Sequence, residues 1–169
     1  MRRTKQKTHK ASVQVDNPPL FIGFIMEEKA FSFDVYLINN SNWKYKSVTI
    51  FTGAFMTVDD DLLETSKVVK VKGPLGAYSS IKIDRSDWNE LDFVIWYHLD
   101  LVRADDTVEK YWFCLPKGGG DYDNKVIKLP IINRKGMSIE LEARNGECIA
   151  EETKTIEMKS KYHKFSKEY

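Results

Sequence analysis

Cysteines, histidines and long apolar runs are all scarce in this chain, and each scarcity excludes a class of protein. Two cysteines among 169 residues cannot build the disulfide framework of a small secreted domain. Those cysteines and the three histidines are scattered, so the close Cys/His pairs of a zinc site are missing. No apolar run approaches the ~18 residues of a membrane-spanning helix, and no secretory signal follows the basic start. We therefore predict a cytoplasmic protein without a metal, a cofactor or a membrane partner.

Basic residues are concentrated at the two ends of the sequence. Residues 1–10 contain no acid and five basic residues, and these are Arg2, Arg3, Lys5, Lys7 and Lys10. Lysines also outnumber acids after residue 153, whereas the body between the ends has a net negative charge. Such ends could contact nucleic acid, but five cations would give only weak, salt-sensitive binding, and solvated tails are the commoner case. The predicted organisation is a flexible basic arm at 1–16, a single domain at 17–158 and a lysine-rich tail at 159–169.

Alternating apolar residues recur along most of the chain and predict β-strands. In Phe31–Ile38, every second residue is apolar, so one face of the strand can be buried. Similar patterns cover Leu20–Met26, Ser47–Phe55, Val68–Val71, Ser79–Ile83, Asp92–Val102, Val108–Leu115, Lys125–Ile132, Met137–Ala143 and Cys148–Met158. Turn signals such as Asn145-Gly146 separate them. The pattern predicts an all-β fold, an antiparallel β-sandwich or a partly open barrel of about 8–10 short strands.

Helical structure is expected to be minimal, with at most one or two single turns. The segment Ser86–Leu91 resembles one helical turn in which Ser86 is the N-cap. The acidic run Asp59–Asp61 predicts a polar bend or a helical turn that continues through Leu62 and Leu63. Gly23, inside a predicted strand, indicates a bulge or a close contact.

Two short stretches resemble a domain found in Bacteroidetes proteins. Asp34-Val-Tyr-Leu-Ile-Asn-Asn-Ser-Asn42 is similar to its strand-and-turn motif, and Trp88-Asn-Glu-Leu-Asp-Phe-Val-Ile-Trp96 is similar to a later turn and strand. The likeness covers residues 20–115. That domain is a β-sandwich of unknown function that accompanies an Smr domain in MutS2-like chains. The resemblance implies an accessory module, linked to DNA transactions and without catalytic residues. Nothing after residue 116 resembles the Smr domain, so no nuclease activity is implied.

Few residues could carry catalysis. His98 and Asp100 point to the same side of a strand, and a His–Asp pair can orient a general base. No Gly-x-Ser-x-Gly motif supplies a nucleophile, so we interpret them as polar residues on an exposed strand face. A hydrolase that used both residues is the weakest alternative, because it would need them to line a deep pocket. We predict that the protein is not an enzyme and has no catalytic residue.

Two further sequence features bear on whether the chain has a reactive thiol or a metal site. Cys114 lies in an apolar stretch that should raise the pKa of its thiol and make it inert. Asp121 and Asp123 faintly resemble a calcium loop, but the bidentate glutamate of such a loop is missing. We predict no metal site.

Large aromatic rings are the better guide to function. Rings of opposite parity on one strand, such as Trp96 and Tyr97, cannot face one core, so a second sheet, a ligand or a partner must cover some of them. We predict a non-enzymatic interaction module that binds a protein, or self-associates as a C2 dimer, through an aromatic sheet face. The alternative is a nucleic-acid-binding accessory protein that uses the basic arm and a lip of aromatic and basic residues. Besides the five basic residues of the arm, the candidate binding residues are Trp43, Lys44, Tyr45, Lys46 and Trp96.

Overall fold

The described part of the chain forms two antiparallel β-sheets, which confirms the predicted fold class. The computed structural model describes residues 18–27, 30–115, 117–119 and 126–144. The strands are β1 (Leu20–Glu27), β2 (Ser32–Asn39), β3 (Tyr45–Val58), β4 (Asp61–Glu64), β5 (Val68–Lys72), β6 (Ser79–Asp87), β7 (Val94–Arg103), β8 (Val108–Leu115), β9 (Val126–Lys128), β10 (Lys135–Glu140) and β11 (Glu142–Ala143). The predicted arm, lysine-rich tail, Asn145-Gly146 hairpin and return strand Cys148–Met158 lie outside the described residues, as do Asp121 and Asp123.

The strands divide into sheets of five and six. Sheet A has the order β6-β2-β1-β10-β9, and sheet B has the order β11-β8-β7-β3-β4. Strand β5 also pairs with β3 and lies on the same edge of β3 as β4. The described residues contain no α-helix, but they contain 3-10 turns at Trp88–Asp92 and Lys117–Gly119.

The hydrophobic core lies between the sheets and is built from the alternate residues that point inward from each strand. Val35 and Leu37 from sheet A meet Ile50, Tyr97 and Leu99 from sheet B, and all five are fully buried. Aromatic rings stack within the same layer, with ring centroids 4.3 Å apart for Phe24–Phe33 and 4.6 Å apart for Tyr97–Phe113. The alternation that predicts the strands therefore also fills the space between the sheets.

A smaller hydrophobic cluster covers the outer face of sheet A. Leu129, from the β9–β10 connection, packs there with Phe21, Ile25 and Ile38. A Cβ on Gly23 would lie 2.8 Å from Ile38 Cδ1 and 3.0 Å from Leu129 Cδ1. The close contact predicted at Gly23 is present, because only a residue without a side chain fits under this cluster.

Two of the predicted strands are strongly shortened or divided in the structure. The strand predicted at Lys125–Ile132 spans only Val126–Lys128, because the chain then turns, with positive φ angles at Ile131 and Asn133. The strand predicted at Met137–Ala143 is two strands, since Glu140 pairs with Phe21 in sheet A and Glu142 pairs with Trp112 in sheet B.

The expected helical turns also differ in detail. Asp59 and Asp60 have φ angles of 48° and 69° and form the turn of the β3–β4 hairpin, so no helical turn follows. The turn after β6 is a 3-10 turn whose N-cap is Asp87 and not Ser86. The backbone N–H of Asp87 donates to Glu90 Oε2 at 3.2 Å, whereas Ser86 is buried.

Candidate functional site

Strands β5 and β6 form the open side of the sandwich. Each is an edge strand within the described residues, since β5 pairs only with β3 and β6 pairs only with β2. The two edges lie across the core from one another, one in each sheet. Lys70 of β5 and Asp84 of β6 connect them through an ion pair of 2.5 Å.

A bulge between β4 and β5 opens a cavity on this side. Phe55 pairs with Glu64 and Thr52 pairs with Val68, so three residues of the edge face two residues of β3. Thr65 closes the bulge, because its N–H donates to the carbonyl of Ala54 at 2.8 Å and its hydroxyl accepts from the N–H of Ala54 at 2.9 Å. The bulge borders a gap on this side of the sandwich, where Thr65 and Ser66 line the cavity.

The cavity in this gap has a volume of about 430 Å³. Val68, Phe93 and Ile95 are among the apolar residues that line it. Polar residues, which include Thr52, Ser86 and Tyr97, line it as well. Its size falls within the range of ligand pockets, roughly 300–1,000 Å³.

A second bulge directs Asp84 into the same space. In β2–β6 pairing, Val35 lies opposite Asp84 and Tyr36 lies opposite Lys82, so Ile83 is the additional residue. Directly opposed residues share a face of the sheet, and Val35 belongs to the buried face. The bulge therefore places a carboxylate on the inner face of an edge strand.

Asp84 is the centre of a hydrogen-bond network that joins both sheets. Its carboxylate accepts from the Tyr97 hydroxyl at 3.0 Å, from the Lys70 ammonium at 2.5 Å and from the Arg85 backbone N–H at 2.9 Å. Ser86 and Thr52 line the same cavity as Tyr97. Burial, and then the charge of Asp84, raise the pKa of Tyr97 far above its ordinary value, so the phenol stays protonated.

Exposed apolar residues lie on the outer face of sheet B beside the cavity. Val69 and Val71 of β5 are 58% and 70% exposed, and Phe51 lies directly opposite Val69. Trp96 is on the same face, opposite Gly53, with Lys67 Nζ 6.0 Å from the centroid of its ring. We call Val69, Val71, Phe51 and Trp96 the valine face.

Three of the four residues of the predicted lip are exposed, and the fourth, Tyr45, is buried. Trp43 is 51% exposed, but the guanidinium of Arg103 covers its ring at 4.2 Å. Lys46 pairs with Asp106 at 2.7 Å and Lys44 is exposed, while Tyr45 is buried. The Tyr45 ring lies in the core, where its hydroxyl donates to Glu109 Oε2 at 3.0 Å.

Of the remaining candidates, only Trp96 lies near the open side. It is seven residues from Arg103 along β7, roughly 23 Å at the rise of an extended strand, so the structure does not bring Trp96 to the lip. The five basic residues of the N-terminal arm lie outside the described residues.

His98 is buried, which corrects the expectation of an exposed polar residue. It is only 5% exposed, and Arg144 Nη1 lies 2.7 Å from its Nδ1 atom. Arg144 Nη2 also donates to Asp100 Oδ1 at 3.3 Å, so one guanidinium contacts both residues. An arginine is always a donor, so Nδ1 of His98 is the acceptor of this bond. The cavity on the open side is lined by neither His98 nor Asp100.

The raised pKa predicted for the Cys114 thiol is confirmed. Burial raises its pKa to about 12, and the nearby charge of Glu142 acts in the same direction. Among the described residues, no group of three or more His, Cys, Asp or Glu side chains could hold a metal ion.

Sequence reasoning did not identify Lys70, Asp84 or Tyr97 as members of one site. Tyr97 was recognised only as one of many rings, and Asp84 and Lys70 are ordinary polar residues in alternating strands. The exposed valines of β5 carry a weak signal in the sequence, because Val68-Val-Lys-Val71 has apolar residues on both strand faces.

The fold and this side of the molecule define a class, a two-sheet all-β protein with a cavity beside the edge strands β5 and β6. The chain matches no family model, no curated protein and no solved structure. The resemblance to the Smr-associated domain therefore stays a prediction.

Proposed function

We propose that the protein is a non-enzymatic interaction module that binds an extended segment of another protein along β5. The observation that carries the proposal is the exposure of Val69 and Val71, at 58% and 70%, on an edge strand. Edge strands offer unpaired backbone groups, and proteins usually protect them with charges, bulges or covering elements. An added strand would pair with β5 and place its own side chains beside Val69 and Val71.

The opposite edge is less suited to such pairing. Strand β6 is interrupted by the bulge at Ile83, and bulges blunt an edge strand. Its outer face also carries charged residues, since Lys82 pairs with Asp34 at 2.5 Å and Arg85 is exposed. Strand β5 keeps regular pairing from Val68 to Lys72, so it is the edge that can extend its sheet.

Charge favours another protein over a second copy of this chain. Residues 65–72 contain three lysines, Lys67, Lys70 and Lys72, and no acid. Pairing two copies of β5 would bring the lysines of both copies together along one seam, and like charges across strands are destabilising. A partner segment with acidic side chains would be attracted instead.

The alternative, nucleic-acid binding through the lip, has less support in the geometry. Arg103 covers one face of the Trp43 ring, and Lys46 is engaged with Asp106. Stacking on a base and contact with a phosphate need these groups to be accessible.

Peptide selection on the full-length protein tests the proposal. A library of random displayed peptides is selected on the immobilised chain, and the enriched peptides are then measured against two variants. We expect Val69→Lys/Val71→Lys to weaken binding at least tenfold. The matched control is Val108→Lys, which changes a valine of β8 that is 50% exposed and should leave binding unchanged.

Three results would contradict the proposal. The first is a selection that enriches no peptide. The second is enriched peptides that bind the Val69→Lys/Val71→Lys variant and the wild type with equal affinity. The third is a wild-type dimer, seen by light scattering, that is absent in the same variant. The last would assign β5 to self-association. Salt-sensitive binding to single-stranded DNA in a gel-shift assay, unchanged in this variant, would favour the nucleic-acid alternative.

A further inference from the structure

We propose that the cavity beside β5 receives one side chain of the added strand, and that this anchor is a tyrosine or a tryptophan. The inference rests on the proposed function, because it requires a segment paired with β5. It adds the side-chain chemistry by which that segment is recognised.

The geometry of strand pairing places an anchor at the cavity. Val68 and Lys70 point to the inner side of sheet B, since Val68 lies opposite Thr52 and Lys70 lies opposite the buried Ile50. Both residues line the cavity. A residue of an added strand directly across from Val68 would share its face and point into the space between the sheets.

The adjoining positions of the same strand fit the rest of the edge. The residue across from Lys70 would meet an ammonium group that pairs with Asp84 and has further N–H donors, which a carboxylate can accept. Residues across from Val69 and Val71 would lie on the valine face, which favours β-branched or other apolar side chains. The partner is thus an extended segment in which apolar and acidic residues alternate around one anchor.

The walls of the cavity favour a large apolar body for that anchor. The volume of about 430 Å³ exceeds the needs of a small side chain, and Val68, Phe93 and Ile95 are part of the lining. An aromatic side chain buries about 150–250 Å² when it is enclosed, more than any aliphatic one of similar flexibility.

The hydroxyls that line the cavity favour a hydrogen-bond donor at the tip of the anchor. Thr52 and Ser86 both line the cavity, and each hydroxyl oxygen can accept a hydrogen bond. Thr52 and Ser86 are 7% and 2% exposed, so water competes little. A phenol O–H or an indole N–H satisfies these acceptors, whereas phenylalanine leaves them unpaired.

Designed peptides test the anchor without changing the protein. The probe is a capped nine-residue peptide in which glutamate and valine alternate symmetrically around one central tyrosine, so that either strand direction presents the same pattern. Versions with tryptophan, phenylalanine and alanine at the centre are compared by fluorescence anisotropy. We expect the tyrosine and tryptophan peptides to bind about threefold to tenfold more tightly than the phenylalanine peptide, and the alanine peptide to bind most weakly.

A pair of protein variants tests the role of the cavity hydroxyl. Thr52→Val keeps the shape of the side chain and removes the acceptor, so the preference for tyrosine over phenylalanine should shrink toward unity. Thr49→Val is the control, because Thr49 lies on the same strand but on the outer face. Circular dichroism of both variants confirms that they are folded.

The outcomes separate the two proposals. If no peptide binds, both the strand addition and the anchor are overturned. If all four peptides bind equally and Val69→Lys/Val71→Lys abolishes binding, strand addition stands and the anchor is overturned. Equal binding of the tyrosine and phenylalanine peptides, above alanine, would overturn the donor requirement.

Discussion

The hydroxyl of Tyr97 donates a hydrogen bond to the carboxylate of Asp84 at 3.0 Å, across the space between the two sheets. Tyr97 is fully buried on β7, and Asp84 reaches it only because the bulge at Ile83 turns the carboxylate inward. A polar contact in this position replaces apolar packing at the edge of the core. It connects β6 of sheet A to β7 of sheet B beside the cavity.

Removing the Tyr97 hydroxyl should destabilise the fold. Tyr97→Phe leaves Asp84 with one partner fewer, and an unsatisfied buried polar group costs about 1–3 kcal/mol. Urea unfolding followed by circular dichroism measures the loss. Tyr78→Phe, at a tyrosine that is 63% exposed, is the control and should change the free energy of unfolding very little. Equal effects of the two substitutions would contradict a structural role for this network.

Stability should fall in alkaline solution. Burial, and then the charge of Glu109, raise the pKa of Tyr111 to about 12, from an ordinary value of 10.0. The unfolded chain therefore loses this proton first, and stability present below pH 10 is lost as the pH rises toward 12. Burial also raises the pKa values of Tyr45 and Tyr97. The urea midpoint of unfolding should fall as the pH rises from 9 to 12. In the Tyr111→Phe variant this midpoint should fall less steeply with pH than in the wild type. A flat profile would refute this linkage.

A side chain on Gly53 should be poorly tolerated. An added Cβ would lie 2.6 Å from Trp96 Cζ2, so Gly53→Ala must displace the indole. We expect a loss of about 1–3 kcal/mol in the free energy of unfolding, as overpacking usually costs. Gly73→Ala is the control, because a Cβ there would meet nothing within 4 Å. Trp96→Phe in the Gly53→Ala background should recover part of the loss, and a purely additive double variant would argue against this contact.

Cys114 should react slowly with alkylating reagents in the folded protein. Its pKa of about 12 leaves almost no thiolate at pH 8.5, and the thiolate is the reactive form. Peptide mapping by mass spectrometry after iodoacetamide treatment should show little label on Cys114 without urea and complete label with it. Rapid labelling in the folded state would mean that this thiol is accessible and activated.

The strands were predictable from the sequence, because the alternation of apolar and polar residues reflects which face of a strand is buried. The pattern of Phe31–Ile38 matches β2, whose inner residues are buried. Alternation cannot reveal which sheet a strand joins, so Met137–Ala143 was interpreted as one strand although its two halves belong to different sheets. Turns formed by residues other than glycine were also hidden, as at Ile131.

The candidate site was largely invisible in the sequence for a related reason. A bulge reverses the parity of every residue beyond it, so the inward direction of Asp84 depends on pairing between β2 and β6. The sequence likewise placed His98 on an exposed face, whereas Arg144, 46 residues away, contributes to covering it. Contacts between residues distant in the chain cannot be derived from local patterns alone.

The single residue between β10 and β11, Leu141, determines how the gap between the sheets can vary. Because one residue is too short to act as a flexible linker, the sheets cannot separate at Leu141 unless hydrogen bonds of β10 or β11 break. Between β5 and β6 the chain has six residues, 73–78, and the opposing edges are connected by the Lys70–Asp84 ion pair. The two sheets are thus joined by a single backbone residue on the β10–β11 side and by a longer loop and side chains on the β5–β6 side. A guest that enters the cavity would act on the side that the longer loop and the side chains hold together.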